Sequence, residues 1–245
     1  MAKFLMIPDA QVSPKHSFEH LEWVGNYIAE KRPEYIIQIG DFCDMSSLSS
    51  FDLGKKRFEG RRYKDDIEVS KEAMNLLTKP FLKIRNYKPK MHLTYGNHEE
   101  RILRAVESDA KLEGTITLDD LEYKKFGWQV HDFLRPVIID EIAFCHYFPS
   151  GQLGRPTSSA RAILNKMHMS CIAGHLQGRD IAYAKRADGR QITAIIAGSC
   201  YLHDEDYLSP LTNQHWRGCL MGHEMNKGAF DDMWVSLSYL HKEYA

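Results

Sequence analysis

The sequence predicts a single α/β domain, residues 1–245, with two packed sheets. Short apolar runs of strand length alternate with segments of helical periodicity in the first half, as in a βαβ unit with parallel strands. The second half is richer in strands, and Asp188 and Gly189 separate two of them as a hairpin turn would. No internal repeat, low-complexity linker or shift in composition divides the chain.

Three apolar runs of the first half predict buried strands. They cover residues 3–7, 35–39 and 91–95. A helix is predicted between the first two, with Ser17 as its expected N-cap. The apolar face of this helix consists of Phe18, Leu21, Val24 and Ile28. Strand, helix and strand in this order imply parallel pairing through a right-handed crossover.

Two further helices are predicted in the first half. One covers about residues 65–85, where Pro80 is expected to kink it or to start a second helix. The other covers residues 98–107. Residues 46–64 are polar and basic and contain glycine breakers, which indicates an excursion over the sheet.

The second half predicts three strand pairs, one helix and one further strand. The pairs are 137–139 with 142–145, 182–186 with 191–197, and 219–224 with 233–238. The helix covers about residues 157–167, and the further strand covers residues 170–173.

Composition excludes several classes of protein. Lys and Arg total 32 against 33 Asp and Glu, so the chain is not a strongly cationic nucleic-acid coat protein. No apolar run approaches the roughly 20 residues of a membrane helix, and the N-terminus reads as a strand rather than a signal peptide. The five widely spaced cysteines argue against a disulfide framework or a cysteine zinc module, and indicate buried thiols in a reducing cytoplasm.

Each of five predicted strands ends in a short polar cluster. The clusters contain Asp9 and Gln11, Asp41 and Asp44, Asn97 and His98, His146 alone, and His175 and Gln177. In α/β sheets, ligands bind outside the carboxyl ends of the strands, so the five clusters are expected to meet at one point. Their carboxylate, amide and imidazole groups are ligands suited to divalent metals.

In their order and their position at strand ends, these clusters resemble the five motifs of the calcineurin-like metallophosphoesterases. The family motifs D-x-H, GDxxD, GNH[DE], H and GHxH read here as DAQ, GDFCD, GNHE, H and GHLQ, between residues 9 and 177. The resemblance implies an α/β/β/α sandwich with two mixed sheets. The variants with glutamine resemble most the members encoded by bacteriophages, which would place the protein in the cytoplasm of a host cell.

The same resemblance implies a dinuclear metal site, in which Asp41 would bridge the two ions. The second-metal set would be completed by Asn97, His146 and His175. The first-metal set would be completed by Asp9, Gln11 and Gln177. His98 would protonate the leaving oxygen or hold the substrate phosphate, and Asp44 would orient His98 or cap the next helix.

The chain departs from the family where the first metal usually has histidine, because these positions are Gln11 and Gln177. An amide oxygen is a harder and weaker ligand than imidazole, so the first site is expected to be weak and to prefer Mn²⁺ or Mg²⁺. Mn²⁺ is the favoured metal of the protein, with Mg²⁺, Zn²⁺, Fe or Ni²⁺ as alternatives. The alternative is a site with a single metal ion, to which neither Gln11 nor Gln177 would bind.

The implied reaction is hydrolysis of a phosphoester by a water or hydroxide that bridges the two ions. A phosphodiesterase acting on nucleic acid or nucleotides is the first expectation. A phosphomonoesterase, such as a protein Ser/Thr phosphatase, is the second, and a catalytically weak, metal-stabilised binding module is the third. The sequence has no G-x-S-x-G elbow and no P-loop, and it leaves the oligomeric state open.

A basic run with interleaved aromatic residues follows the second motif. Its cations are Lys55, Lys56, Arg57, Arg61, Arg62 and Lys64. The run is either a solvated loop or a phosphate contact beside the site, in which Arg61 and Arg62 would bind substrate. Arg101, after the GNHE motif, is a further candidate for phosphate binding and equally suits an exposed surface position.

Overall fold

The computed structural model of the protein describes residues 2–204 and 215–245. The helices in these ranges are α1 (His20–Lys31), α2 (Tyr63–Leu82), α3 (Arg101–Ser108), α4 (Ala160–Met167) and α5 (Leu237–Tyr244). The strands are β1 (Phe4–Ile7), β2 (Tyr35–Gln38), β3 (Lys90–Thr94), β4 (Gln129–His131), β5 (Val137–Ile139), β6 (Ile142–Cys145), β7 (Pro149–Ser150), β8 (Arg155–Pro156), β9 (Ser170–Ala173), β10 (Arg179–Lys185), β11 (Gln191–Ala197), β12 (Gly218–Asn226) and β13 (Ala229–Ser236). Within the same ranges, no helix combines the length and the apolar character needed to cross a membrane.

Two mixed sheets contain most of the strands, which confirms the predicted fold class. The first sheet has the order β13-β12-β1-β2-β3-β4, in which β1 to β4 are parallel and β12 is antiparallel to β1. The second has the order β10-β11-β9-β6-β5, with antiparallel strands at both edges. The predicted pairing of β5 with β6, of β10 with β11 and of β12 with β13 is also confirmed.

The two sheets pack face to face, with helices on their outer faces. Phe4 and Met6 of β1 belong to the core between the sheets, together with Phe144 and Ile172 of the second sheet. Leu5, which alternates with them along the strand, belongs to the core beneath α1 and α2. Helix α4 packs on the other face of the second sheet, so the layers run α/β/β/α.

One helix prediction is wrong, and for a second helix one of the two predicted alternatives is excluded. Helix α1 has Glu19 rather than Ser17 at its N-cap position, and no side chain caps it. Helix α2 is a single helix that contains Pro80, so no second helix starts there. Pro80 lies in the last turn, where its missing N–H removes only one intrahelical hydrogen bond, and its ring packs beside Gly25 of α1.

Two more boundaries differ from the prediction. Helix α3 begins at Arg101, so His98 lies in the turn after β3 and not on the helix. Residues 237 and 238, predicted in the last strand, instead begin α5, which Ser236 caps by accepting a hydrogen bond from the backbone N–H of Tyr239. The strand therefore ends at the capping serine. The pattern of apolar residues, on which the predicted strand was based, does not indicate such a cap.

Candidate metal centre

The carboxyl ends of five strands meet at one edge of the sandwich. In the first sheet, parallel β1, β2 and β3 lead into Asp9, Asp41 and Asn97. In the second sheet, parallel β6 and β9 lead into His146 and His175. One ligand atom from each of Asp41, His146 and His175 lies within 4.8 Å of the others. The topology thus brings the predicted second-metal set together.

A cluster of hydrogen-bond acceptors surrounds His146. Its Nδ1 lies 3.0 Å from the carbonyl oxygen of Ile39, so Nδ1 must donate. Its Nε2 then faces two further acceptors, Oδ1 of Asn97 at 2.9 Å and Oδ2 of Asp41 at 3.3 Å. Burial alone would lower the pKa of His146, but the negative charge of Asp41 raises it to about 9. The space between these atoms therefore attracts positive charge, either a proton or a metal ion.

Asp9 is fully buried beside this cluster. Its Oδ1 accepts the backbone N–H of His175 at 3.0 Å, whereas its Oδ2 has no hydrogen-bond partner among the described residues. Burial raises the pKa of Asp9 to about 7. A buried carboxylate oxygen is costly when nothing compensates its charge, so Oδ2 fits the position of a metal ligand.

His175 completes the group as a neutral donor. Burial lowers the pKa of its imidazole to about 4, which leaves a ring nitrogen lone pair for a metal. Asp41, by contrast, is held ionised, because the positive charges of His146 and His98 outweigh its burial and lower its pKa. Carboxylate and amide oxygens with imidazole nitrogens form a donor set that fits a divalent cation.

The backbone around these residues is shaped for close approach. At Gly96, a side chain would overlap the Asp41 carboxylate, and at Gly174 it would overlap that of Asp9. Asp41 and His175 themselves have positive φ values of 51° and 64°. Such left-handed residues are uncommon and concentrate at functional sites, where surrounding structure holds them.

The two glutamines of the predicted first-metal set are also buried and left-handed, with φ values of 43° at Gln11 and 58° at Gln177. The Oε1 atom of Gln177 accepts a hydrogen bond from the Tyr201 hydroxyl at 3.0 Å. Tyr201 in turn lies 2.7 Å from Nδ1 of His215. An amide oxygen has two lone pairs, so this contact leaves one for a metal. No sequence pattern pointed to Tyr201.

Replacing both Gln11 and Gln177 with histidine is expected to raise the affinity of the first-metal set for a divalent ion by about tenfold. This factor corresponds to roughly 1.4 kcal/mol of binding free energy. The physical reason is the stronger donation of imidazole to divalent transition metals. Calorimetric titration of metal-free protein with Mn²⁺ and Zn²⁺ measures the change. The exposed Gln191→His serves as the control. Two equally tight Zn²⁺ ions in the unaltered chain would contradict the expectation.

His98 lies at the rim of the cluster, between an acid and an arginine. Its Nδ1 is 2.9 Å from Oδ1 of Asp44, and its Nε2 is 3.2 Å from the Arg101 guanidinium. Arg101 also donates to the backbone carbonyl of Asp44 at 2.6 Å. Burial would lower the pKa of His98, but Asp41 and Asp44 outweigh it and raise the pKa. The imidazole is therefore positioned to carry a proton.

Glu99 organises the loop that carries Asp41, a role that the sequence analysis did not assign. Its Oε2 accepts the backbone N–H groups of Asp41 and Gly96, at 3.0 and 2.8 Å. Its Oε1 accepts those of Phe42 and Cys43, at 2.7 and 3.1 Å. The available signal was a carboxylate directly after His98, at the end of a buried strand.

The predicted substrate-binding arginines have different surroundings. Arg61 and Arg101 both line a cavity of about 450 Å³ that extends from His98. Arg61 donates to the Ser46 carbonyl and to Asp52, each at 2.9 Å. Arg62 does not line this cavity, and its guanidinium donates to the backbone carbonyl of Arg61.

Comparison with known proteins identifies similar structures but no family. No protein-family model matches the chain, and the search of curated proteins found no match. A dimetal phosphatase from Danio rerio is similar in structure, with 11% sequence identity and a TM-score of 0.44 over 96% of this chain and 99% of its own. Another solved structure has the same identity and coverage and a TM-score of 0.48. At TM-scores under 0.5, neither likeness identifies the function of this chain.

Proposed function

We propose that the protein is a metal-dependent phosphodiesterase that hydrolyses nucleic acid or nucleotides, with Mn²⁺ as the favoured metal. The proposal is carried by the buried cluster in which Nε2 of His146 faces the oxygens of Asn97 and Asp41. The unpaired Oδ2 of Asp9 and the neutral His175 lie at the same cluster. A divalent cation would satisfy all these atoms together. The five ordered motifs support the same conclusion.

The chain's own residues provide binding and proton transfer around the proposed metals. Two bound divalent cations would supply the positive charge that stabilises phosphoryl oxygens and acidifies water. His98, held between Asp44 and Arg101, is placed to give a proton to the leaving oxygen. The guanidinium of Arg101 lines the adjoining cavity, where it can donate to a phosphate oxygen.

A phosphomonoesterase is the second candidate, because Arg101 beside His98 also suits a terminal phosphate. The cavity favours the diester, since Lys15, Lys55 and Arg57 line it in addition to Arg101 and can bind a further phosphate of a nucleic-acid substrate. Loss of catalysis, as in a binding module, is disfavoured because His98, Asp44 and the proposed second-metal set form one connected cluster.

Hydrolysis of bis-p-nitrophenyl phosphate and of p-nitrophenyl phosphate by the Mn²⁺-loaded protein separates these functions. We expect kcat/KM for the diester to exceed that for the monoester by about tenfold or more, a difference of roughly 1.4 kcal/mol in transition-state binding. Chelation should abolish turnover, and added Mn²⁺ should restore it. The control variant Asp41→Asn should bind less metal and be inactive.

A higher kcat/KM for the monoester than for the diester would show that the protein is a phosphatase and not a phosphodiesterase. Absence of turnover with any divalent metal, in protein that binds the metal, would reduce the site to a binding module.

A further inference from the structure

We infer that the cavity beside His98 is a subsite for one unpaired nucleotide of the substrate, which binds a second phosphate and the base next to it. This inference rests on the proposed phosphodiesterase function and specifies its substrate class as single-stranded nucleic acid. The cavity is lined by Asn97, His98 and Arg101 and also by Lys15 and Phe51. Its volume of about 450 Å³ lies within the range of about 300–1,000 Å³ of small-ligand pockets.

The cavity wall has an excess of positive charge. Lys55, Arg57 and Arg61 all share the single carboxylate of Asp52, at distances of 3.9, 2.6 and 2.9 Å. One negative charge cannot compensate three positive charges, so this wall retains a net charge of about two. Lys15 and Arg101 add two further cations to the lining, and Asp44 and Asp204 add two further carboxylates, so the cavity as a whole keeps a net charge of about +2. An anion is the ligand that this wall selects.

The position of the cations sets which anion binds. Arg101 lies beside His98, where the scissile phosphate is proposed to bind. Arg57 and Lys15 line the same cavity, and Arg57 is paired with Asp52 rather than with a proposed metal ligand. A substrate that satisfies these cations as well as Arg101 must therefore carry a phosphate in addition to the scissile one. Nucleic acid has this repeating spacing of charge.

An aromatic surface completes the subsite. The side chain of Phe51 lines the cavity although the residue is 78% exposed, which leaves its ring face available to a planar group. His16 also lines the cavity, and one face of its ring is already stacked on His203 at 4.0 Å with an interplanar angle of 5°. Aromatic rings next to cations are the arrangement by which proteins bind unpaired bases without reading their sequence.

Pairing of the strand is incompatible with this subsite. A base that stacks on Phe51 must leave the base stack of its own strand, which a base inside an intact duplex does not do. The cavity adjoins His98, which is proposed to protonate the leaving oxygen. The part of the nucleic acid that enters the cavity is therefore the part that leaves on hydrolysis. The subsite therefore binds the nucleotide on the leaving side of the scissile phosphate.

Binding of fluorescein-labelled pentathymidylate to protein held in a chelator tests the inference without turnover. Arg57→Gln and Lys15→Gln should each weaken binding severalfold and reduce the slope of log K against log salt by about 0.7, the value for one phosphate contact on a single strand. Phe51→Ala should weaken binding by about tenfold through lost stacking. Lys88→Gln is the matched control, because this exposed lysine precedes β3 at the opposite end of the sheet.

The same variants, loaded with Mn²⁺, should lower kcat/KM for pentathymidylate relative to that for bis-p-nitrophenyl phosphate. Unchanged affinity and salt slope in Arg57→Gln would overturn the subsite, as would equal binding of a blunt 20-base-pair duplex or a preference for a phosphopeptide. Failure of the proposed function looks different: the protein would bind pentathymidylate through Arg57 and Phe51 but hydrolyse no phosphoester with any metal.

Discussion

Replacing His98 with alanine is expected to lower kcat by about 10²- to 10⁴-fold, the usual contribution of a general acid or base. The expectation follows from the position of the imidazole, with Nδ1 2.9 Å from Asp44 and Nε2 3.7 Å from Oδ2 of Asp41. Asp41 and Asp44 raise the pKa of His98 against the effect of burial, so its acidic form is favoured. Metal content should stay at the level of the unaltered protein, because His98 lies outside both proposed metal sets.

A series of aryl phosphodiesters with increasingly basic leaving groups separates the two roles predicted for His98. A general acid matters most when the leaving oxygen is a strong base, so the loss in His98→Ala should grow along the series. A residue that only holds the phosphate should lose the same factor on every ester. Asp44→Asn is the matched variant, and its smaller loss should follow the same trend. Undiminished activity of His98→Ala on all esters would remove the residue from the mechanism.

Replacing Glu99 with alanine is expected to destabilise the protein by about 4 kcal/mol or more. Its carboxylate accepts four backbone N–H groups, from Asp41, Phe42, Cys43 and Gly96. Removal leaves these donors buried and unpaired, and each unpaired donor costs roughly 1–3 kcal/mol. Because the same loop carries Asp41, the variant should also lose metal affinity.

Urea unfolding of the metal-free protein measures this effect independently of catalysis. Glu100→Ala is the matched control: it removes a neighbouring carboxylate that accepts no hydrogen bond from residues 41–43 in the described structure. Glu99→Gln should fall between the two, because its amide keeps one acceptor oxygen and places an NH₂ group against N–H donors. A loss below about 1 kcal/mol in Glu99→Ala would show that water replaces the carboxylate at no cost to the loop.

Local sequence was sufficient to predict the framework of the candidate site. The apolar runs before Asp9, Asp41 and His175 are too short for helices and are closed by turn residues, so their strand character follows from a few adjacent residues. Parallel pairing of β1 with β2 follows from the helix between them. Once these strands are parallel, their carboxyl ends lie at one edge of the sheet.

Local sequence was insufficient where a contact joins distant residues. Glu99 hydrogen-bonds a loop 58 positions earlier in the chain, and nothing in the residues around it indicates which N–H groups it accepts. The subsite cavity likewise joins Lys15 and Phe51 from separate loops with Arg101 of α3. Whether a second helix starts at Pro80 also depended on a distant contact, since Pro80 is tolerated in α2 by its position in the last turn and its packing on α1.

The sequence by itself determined the two-sheet α/β fold and the identity of the side chains at the strand ends, because strand formation and turn formation depend on nearest neighbours. Only the tertiary structure decided how those side chains face one another: His146 turns its Nε2 toward the oxygens of Asn97 and Asp41 because its Nδ1–H donates to the carbonyl oxygen of Ile39. Burial by the packed sheets then makes the facing charges costly without a cation, and that cost exists only in the folded protein.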